Sequence, residues 1–244
     1  MSTHYDFSGR TVIVTGAARG IGLALAQRFA AAAAEVVVVD LDGDDARRAA
    51  GEIGATAVTA DVSSTADVQR VVEHAVERSG RVDVVVNNAG ILRDKVLWKL
   101  DDRDWEDVLA VHLGGGFRLT RACVPQFREQ RYGRVVNVTS YTGLRGNIGQ
   151  SAYAAAKAGI IGFTKTAARE LARFGVTVNA ISPNALTRMI DSIPAHEREE
   201  LERRIPLGRF ADPNEIASGV LFLASEDAGY ITGEVLRIDG GLAM

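Results

Sequence analysis

"TVIVTGAARGIG", residues Thr11–Gly22, runs from five apolar or β-branched residues through a glycine-rich turn into a helical stretch. Thr11–Thr15 lacks the in–out alternation of a half-exposed strand, so it reads as a strand buried on both faces of a parallel sheet. Gly16, Gly20 and Gly22 then interrupt the change from strand to helix. Glycine reaches backbone angles closed to other residues and lets a ligand approach the main chain, while a helix N-terminus offers free N–H groups and a positive dipole end. Strand, glycine turn and helix in that order form a cradle for a pyrophosphate. The spacing G-x-x-x-G-x-G departs from the commoner G-x-G-x-x-G, and a turn with no ligand also uses glycine.

Outward from this stretch the same alternation repeats. Short apolar runs at Val36–Asp40, Thr56–Ala60, Val82–Asn87, Arg134–Thr139, Thr177–Ile181 and Val235–Ile238 read as further strands. Helical segments lie between them. Asp67–Arg78 sets Val68, Val71, Val72 and Ala75 on one face and charges on the other, with Ser64 and Asp67 placed as a capping box. A β-α-β-α order predicts an α/β fold, a doubly wound sheet with helices on both faces. No linker, repeat or low-complexity stretch divides residues 1–244, so one domain is expected. The run from Asn184 to Pro206 is rich in Glu and Arg with isolated Ile190 and Ile193, and suits either a solvated helix pair or a lid over a pocket.

The second strand ends at Asp40, about 20 residues beyond the cradle, where a carboxylate accepts hydrogen bonds from both ribose hydroxyls of an adenosine. The same charge repels a 2′-phosphate. NAD is thereby favoured over NADP, although Arg19 in the turn and Arg47 and Arg48 just beyond stand ready to offset that repulsion.

The formal net charge of −3 gives no electrostatic footprint for nucleic acid or an anionic membrane. A lone cysteine, Cys123, forms no internal disulfide and stands in an apolar helical run without a base, so it reads as a core thiol. No apolar run reaches the roughly 18 residues of a membrane span, and the start, Met1–Gly9, is short and polar. A cytoplasmic protein is expected. No metal-binding constellation is evident.

The cradle, "NNAG" at Asn87–Gly90, Ser140 after the fifth strand, and Tyr153-x-x-x-Lys157 in "SAYAAAK" together resemble the short-chain dehydrogenase/reductase family, over nearly the whole chain from Thr11 to Gly241. The resemblance implies a single-domain Rossmann-like sheet of about seven parallel strands and a homotetramer assembled through two long helices and the C-terminal strand. It implies cofactor contacts at Gly16, Arg19, Gly20, Ile21 and Gly22, with Asp61 and Val62 beside the adenine and Asn88, Ala89 and Gly90 along the cofactor's middle. Pro183, Leu186 and Thr187 are expected to face the nicotinamide. Residues four apart on a helix share a face, so Tyr153 and Lys157 meet one substrate. A cation within about 4 to 6 Å favours a phenolate, so Lys157 is expected to make Tyr153 the proton donor or acceptor. Ser140 would hold the substrate oxygen, and Lys157 also the nicotinamide ribose.

The chain departs from the family pattern at three places. His112 in "VHLGGGF" replaces an Asn that helps hold a water leading to the lysine; it reads either as a proton relay, and so a catalytic candidate, or as a hydrogen-bonded core histidine. Gly114–Gly116 inside a helix call for close packing there. Ala33 stands where a glycine usually ends the first helix, and because Ala at positive φ costs about 1 kcal/mol the helix is expected to end differently. "SPNALTRM", Ser182–Met189, replaces a Pro-Gly followed four residues later by Thr, so Thr187 stands one residue early.

"NNAGILRD", "VHL", "GNIGQSAYAAAK" and "SPNA" are similar to the branch that contains 3-oxoacyl-carrier-protein reductases and (3R)-hydroxyacyl-CoA dehydrogenases. A 3-oxoacyl or 3-hydroxyacyl thioester is the leading small-molecule substrate, with Arg145, Asn147 and Gln150 expected to rim its pocket beside Ser140. Another secondary alcohol or ketone, terpenoid, steroid-like or cyclic, is the alternative. A dinucleotide-binding redox sensor would lack Ser140, Tyr153 or Lys157, and all three are present.

Overall fold

Each of the seven strands read from the sequence forms, with ends shifted by at most two residues: β1 (Thr11–Thr15), β2 (Glu35–Asp40), β3 (Thr56–Thr59), β4 (Val84–Asn87), β5 (Gly133–Val138), β6 (Val176–Pro183) and β7 (Val235–Ile238). The computed structural model describes residues 5–186 and 195–244, so Thr187, Ile190 and Ile193 lie outside the described residues. All pairings are parallel, in the order β3-β2-β1-β4-β5-β6-β7. The chain builds outward from β1 to β3, then restarts at β4 on the other side of β1. That reversal opens a crevice beyond the carboxyl ends of β1 and β4, where open α/β sheets bind ligands.

Period-two alternation sends consecutive strand residues to opposite faces, and both faces are covered. Val12, Val14, Val36, Val38, Val84 and Val86 pack with Leu25 and Phe29 of α1 (Gly20–Ala31) and Ile216 and Val220 of α9 (Pro213–Ala224). Ile13, Val37, Val39, Val85 and Val135 pack with Val71 of α3 (Thr65–Ser79), Phe127 of α5 (Gly115–Gln130) and Leu171 of α7 (Ser151–Leu171). The short helices α2 (Gly43–Ile53), α4 (Asp102–Leu109), α6 (Tyr141–Arg145) and α8 (Ala195–Arg203) complete the set among the described residues. Cys123 belongs to the second layer, and burial pushes its thiol well above the ordinary range, as expected of a core thiol.

Two local expectations are corrected. The first helix does close as the family pattern has it, with Ala33 just beyond its C-cap Ala32 in the left-handed conformation at φ 65°; the Ala34 N–H donates to Phe29 O (3.0 Å) and the Ala33 N–H to Ala30 O (2.9 Å), a Schellman closure carried by alanine. At α3 only half of the capping box forms. Ser64 Oγ accepts from Asp67 N, but the Asp67 carboxylate accepts from Asp61 N instead of returning to Ser64. Within the Gly114–Gly116 triplet, close packing explains Gly115. Ala110–Gly114 is one π turn joining α4 to α5, and a Cβ on Gly115 would stand 2.8 Å from Val62 Cγ2. Gly159 of α7 approaches Leu113 of the same turn as closely.

Candidate active site

The glycine turn is built for close approach. Gly16 has φ 62°, and a Cβ there would lie 2.9 Å from Ala89 Cα, while one on Gly22 would overlap the Gly16 carbonyl. Gly20, also at positive φ, faces open space. Asn88 secures this turn to the end of β4: its Nδ2 donates to Thr15 O (2.9 Å) and Gly16 O (3.1 Å), and the Asn88 and Ala89 N–H groups donate to Thr15 Oγ1. α1 starts at Gly20 with Arg19 as N-cap, no side-chain cap and no acid in its first turn. Its positive end therefore faces the crevice uncompensated, the environment a pyrophosphate requires. The residues present fit a dinucleotide.

At the end of β2 the Asp40 carboxylate accepts from Ala18 N (3.1 Å) and Asp42 N (3.2 Å), so it also anchors the glycine turn. The cations that stood ready to offset its charge are engaged. Arg19 faces Asp45 (3.8 Å), Arg48 binds Asp45 (2.7 Å) and Arg47 binds Asp44. Asp42 caps α2. Four carboxylates against three guanidiniums leave this end of the crevice negative. Asp61 accepts from Ser63 N, and buried Val62 packs on Gly115 at the start of α5.

Across the crevice three elements bring Ser140, Tyr153 and Lys157 together. Ser140, at the end of β5, is the N-cap of α6 and accepts from Thr142 N (3.2 Å). Tyr153 and Lys157 stand one turn apart on α7, with Lys157 Nζ 5.4 Å from the Tyr153 ring centroid. Lys157 is fully buried; its Nζ donates to Val138 O (2.7 Å), and burial draws its pKa down to about 7. Thr139 Oγ1 donates to Lys157 O (2.7 Å) and fixes α7 to β5.

The expectation that Lys157 acidifies Tyr153 is corrected for the ligand-free protein. Burial raises the Tyr153 pKa, the hydrogen bond with Ser140 lowers it, and the Asp94 carboxylate raises it further. The Lys157 ammonium meanwhile donates to the Val138 carbonyl and stands beside the phenol ring. His112 makes the hydrogen bond expected of a core histidine. Its Nε2 meets the Ile91 main chain, carbonyl at 2.8 Å and N–H at 3.1 Å, and its ring stands edge-on to Tyr153 at 5.1 Å. Burial, aided by the Lys157 charge, pulls its pKa down to about 3, so the imidazole is neutral at ordinary pH. Nδ1 is buried without a partner among the described residues, beside a cavity of about 10 Å³ that Lys157 also lines, the space one water needs.

The expected substrate rim is also redrawn. Arg145 turns away from Ser140 and donates to Ala243 O (3.3 Å) and Met244 O (3.1 Å). Gln150 is committed to Asp94, Thr142 and Asn147, and Asn147 to Gln150. Pro183 ends β6 at the crevice, and the Leu186 N–H donates to Ala211 O with its side chain exposed. Thr139, Thr142 and Asp94 support the site without a sequence signal of their own, since their roles depend on which strand ends meet. Among the described residues no cluster suits a metal ion, and no helix is long and apolar enough to cross a membrane. A surface cavity of about 370 Å³ beside Arg128, Arg131 and Phe174 lies at the opposite, amino-terminal ends of β5 and β6.

A family model described as enoyl-(acyl carrier protein) reductase matches residues 16–243. The chain is 43% identical over 242 residues to the 3-oxoacyl-[acyl-carrier-protein] reductase of Thermotoga maritima, covering 97% of this chain and 98% of that one. It is 40% identical to the enzymes of the same name from Escherichia coli, over 98% of this chain and 99% of that one, and Aquifex aeolicus, over 96% and 97%. The chain belongs to the short-chain dehydrogenase/reductase family. Its members' chemistry makes it an oxidoreductase that uses a nicotinamide dinucleotide and moves a hydride to or from a carbonyl carbon.

Proposed function

We propose that the protein reduces a 3-oxoacyl thioester, carried on a carrier protein or coenzyme A, to the 3-hydroxyacyl thioester, with NAD(H) preferred. The convergence of Ser140, Tyr153 and Lys157 beside an uncapped glycine cradle carries this reading. The names of the relatives support the thioester. The bound dinucleotide supplies or takes the hydride, and this chain's residues do the rest. Gly16, Arg19, Gly20, Ile21 and Gly22 hold the pyrophosphate; Asp40 the adenosine ribose; Asp61 and Val62 the adenine; Asn88, Ala89, Gly90, Pro183 and Leu186 the remainder. Ser140 donates a hydrogen bond to the substrate oxygen. Tyr153, kept protonated by burial, gives its proton to that oxygen as the carbonyl becomes an alcohol. Lys157 holds the ribose hydroxyls and replaces the proton.

The preference for NAD rests on Asp40 and on the pairing of Arg19, Arg47 and Arg48 with Asp44 and Asp45. A homotetramer in the cytoplasm belongs to the same proposal, and half-exposed Phe117 on α5 and Leu236 on β7 offer apolar surface to a second copy. The test is cofactor oxidation with a 3-oxoacyl thioester, a 2-enoyl thioester and a panel of cyclic ketones. Turnover of the 3-oxoacyl compound, abolished in Tyr153→Phe with cofactor affinity retained, is expected. Turnover of the enoyl compound or of cyclic ketones alone would refute the substrate, and tight cofactor binding without any turnover would favour a redox sensor.

A further inference from the structure

Gln150 stands between the two catalytic elements and the loop that follows β4. It is the N-cap residue of α7, three residues before Tyr153. Its Oε1 accepts from Thr142 Oγ1 (3.0 Å) of α6 and Asn147 Nδ2 (3.1 Å), and its Nε2 donates to Asp94 Oδ2 (2.8 Å). Thr142 in turn donates its N–H to Ser140 Oγ. A continuous chain therefore runs Asp94–Gln150–Thr142–Ser140, and the main chain repeats the link, with Lys95 N donating to Gly149 O (2.9 Å). One side-chain carboxamide joins all three segments.

The carboxylate at the head of this chain is exposed to solvent. Its neighbours pair among themselves, Arg93 with Asp104 and Asp107, Lys95 with Asp101 and Asp104. Among the described residues Asp94 stands in no ion pair, and Gln150 is its hydrogen-bond partner. Among the described residues the groups facing Tyr153 are few. His112 of the π turn is neutral, Lys157 of α7 faces the ring, Ser140 of the β5 end contributes a hydroxyl, and Arg145 of α6 points to the C-terminal carbonyls. Asp94 is the anion of this set.

We propose that Asp94 and Gln150 form a positioning unit for the proton donor: Gln150 fixes Ser140 and Tyr153 relative to each other, and the Asp94 charge adds to the burial that favours the protonated Tyr153 hydroxyl. The unit biases the site toward giving a proton to a carbonyl oxygen. It rests on the role assigned to Tyr153 above. Asp94 makes the phenolate less favourable, in agreement with the raised pKa of Tyr153, and an anion near a phenol can act in no other direction.

Asp94→Asn keeps an acceptor for Gln150 Nε2 and removes the charge. The rate of alcohol oxidation at neutral pH, which needs the phenolate, is expected to rise at least threefold, and its pH–rate profile to move to lower pH. A merely structural residue produces only losses, so an unchanged or uniformly depressed profile overturns the electrostatic half. Gln150→Glu sets two carboxylates against each other and is expected to lower kcat at least tenfold with cofactor affinity unchanged. Adding Asp94→Asn restores most of that loss, because the introduced carboxamide can donate to the introduced carboxylate; failure to rescue overturns the joint. A pH-jump absorbance difference, wild type minus Tyr153→Phe, follows the Tyr153 phenolate without any substrate. Its step moves to lower pH in Asp94→Asn if the proposal holds and stays in place if it fails, whereas inertness of the wild type toward thioesters would count against the substrate alone.

Discussion

Replacing Asp40 by asparagine leaves a side-chain oxygen able to accept the Ala18 N–H and removes only the charge. Asp40→Ala would also release the glycine turn, because Asp40 Oδ2 accepts from Ala18 N at 3.1 Å. Two effects set the size of the change. Hydrogen bonds from ribose hydroxyls to a charged acceptor are about twice as strong as to a neutral one, so NAD loses about 1 kcal/mol, roughly fivefold in Kd. A carboxylate and a phosphate oxygen in contact repel by about 1 kcal/mol in water and about 4 kcal/mol at an effective dielectric of about 20. Asp40 is partly exposed, so the lower part of that range applies. Relief of about 1.5 kcal/mol tightens NADP roughly tenfold. The ratio of the two dissociation constants should therefore move about 50-fold toward NADP. Arg19, Arg47 and Arg48 stay paired with Asp44 and Asp45, which caps the gain for NADP. Fluorescence titration of both reduced cofactors measures the ratio directly, and a shift of less than about threefold would refute the charge argument.

Lys157 is buried with a pKa drawn from 10.5 to about 7, so between those values the unfolded chain binds more protons than the native one and stability of the ligand-free protein rises with pH. Lys157→Met should remove a slope approaching 1.4 kcal/mol per pH unit from denaturant midpoints measured between pH 7 and 10, and abolish turnover; parallel pH profiles of the two proteins would refute the burial. Ala33→Gly relieves an exposed alanine at φ 65° and should stabilise by about 1 kcal/mol, or about 2 °C in Tm for a chain of this size, read by calorimetry; a lower Tm would contradict the Schellman closure. Gly90→Ala drives a Cβ into the His112 ring and should cut kcat at least tenfold, with partial recovery on adding His112→Ala; equal activity of the single variant would show that the two do not meet.

The architecture was legible because it depends on local alternation. β-branched runs such as Val36–Asp40 are apolar on both faces only if both faces are covered, and the glycines of Thr11–Gly22 mark the one turn that must take close approach. Ser140, Tyr153 and Lys157 could be named because each lies at a fixed place relative to a strand end or a helix turn. Side-chain direction was harder to read. Arg145, Asn147 and Gln150 stand between Ser140 and Tyr153 in the chain, yet their side chains are taken by the C-terminal carbonyls, by Asp94 and by one another.

Sequence alone thus determined the strands, their parallel stacking and the cradle, since periodicity and backbone freedom are properties of neighbouring residues. Tertiary structure decided the electrostatics. The lowered pKa of Lys157, the neutrality of His112 and the retention of the Tyr153 proton follow first from how deeply each is buried, and then from the charge the fold brings near, Lys157 for His112 and Asp94 for Tyr153. Burial and distance between residues remote in the chain set those energies, and neither is written in any one segment.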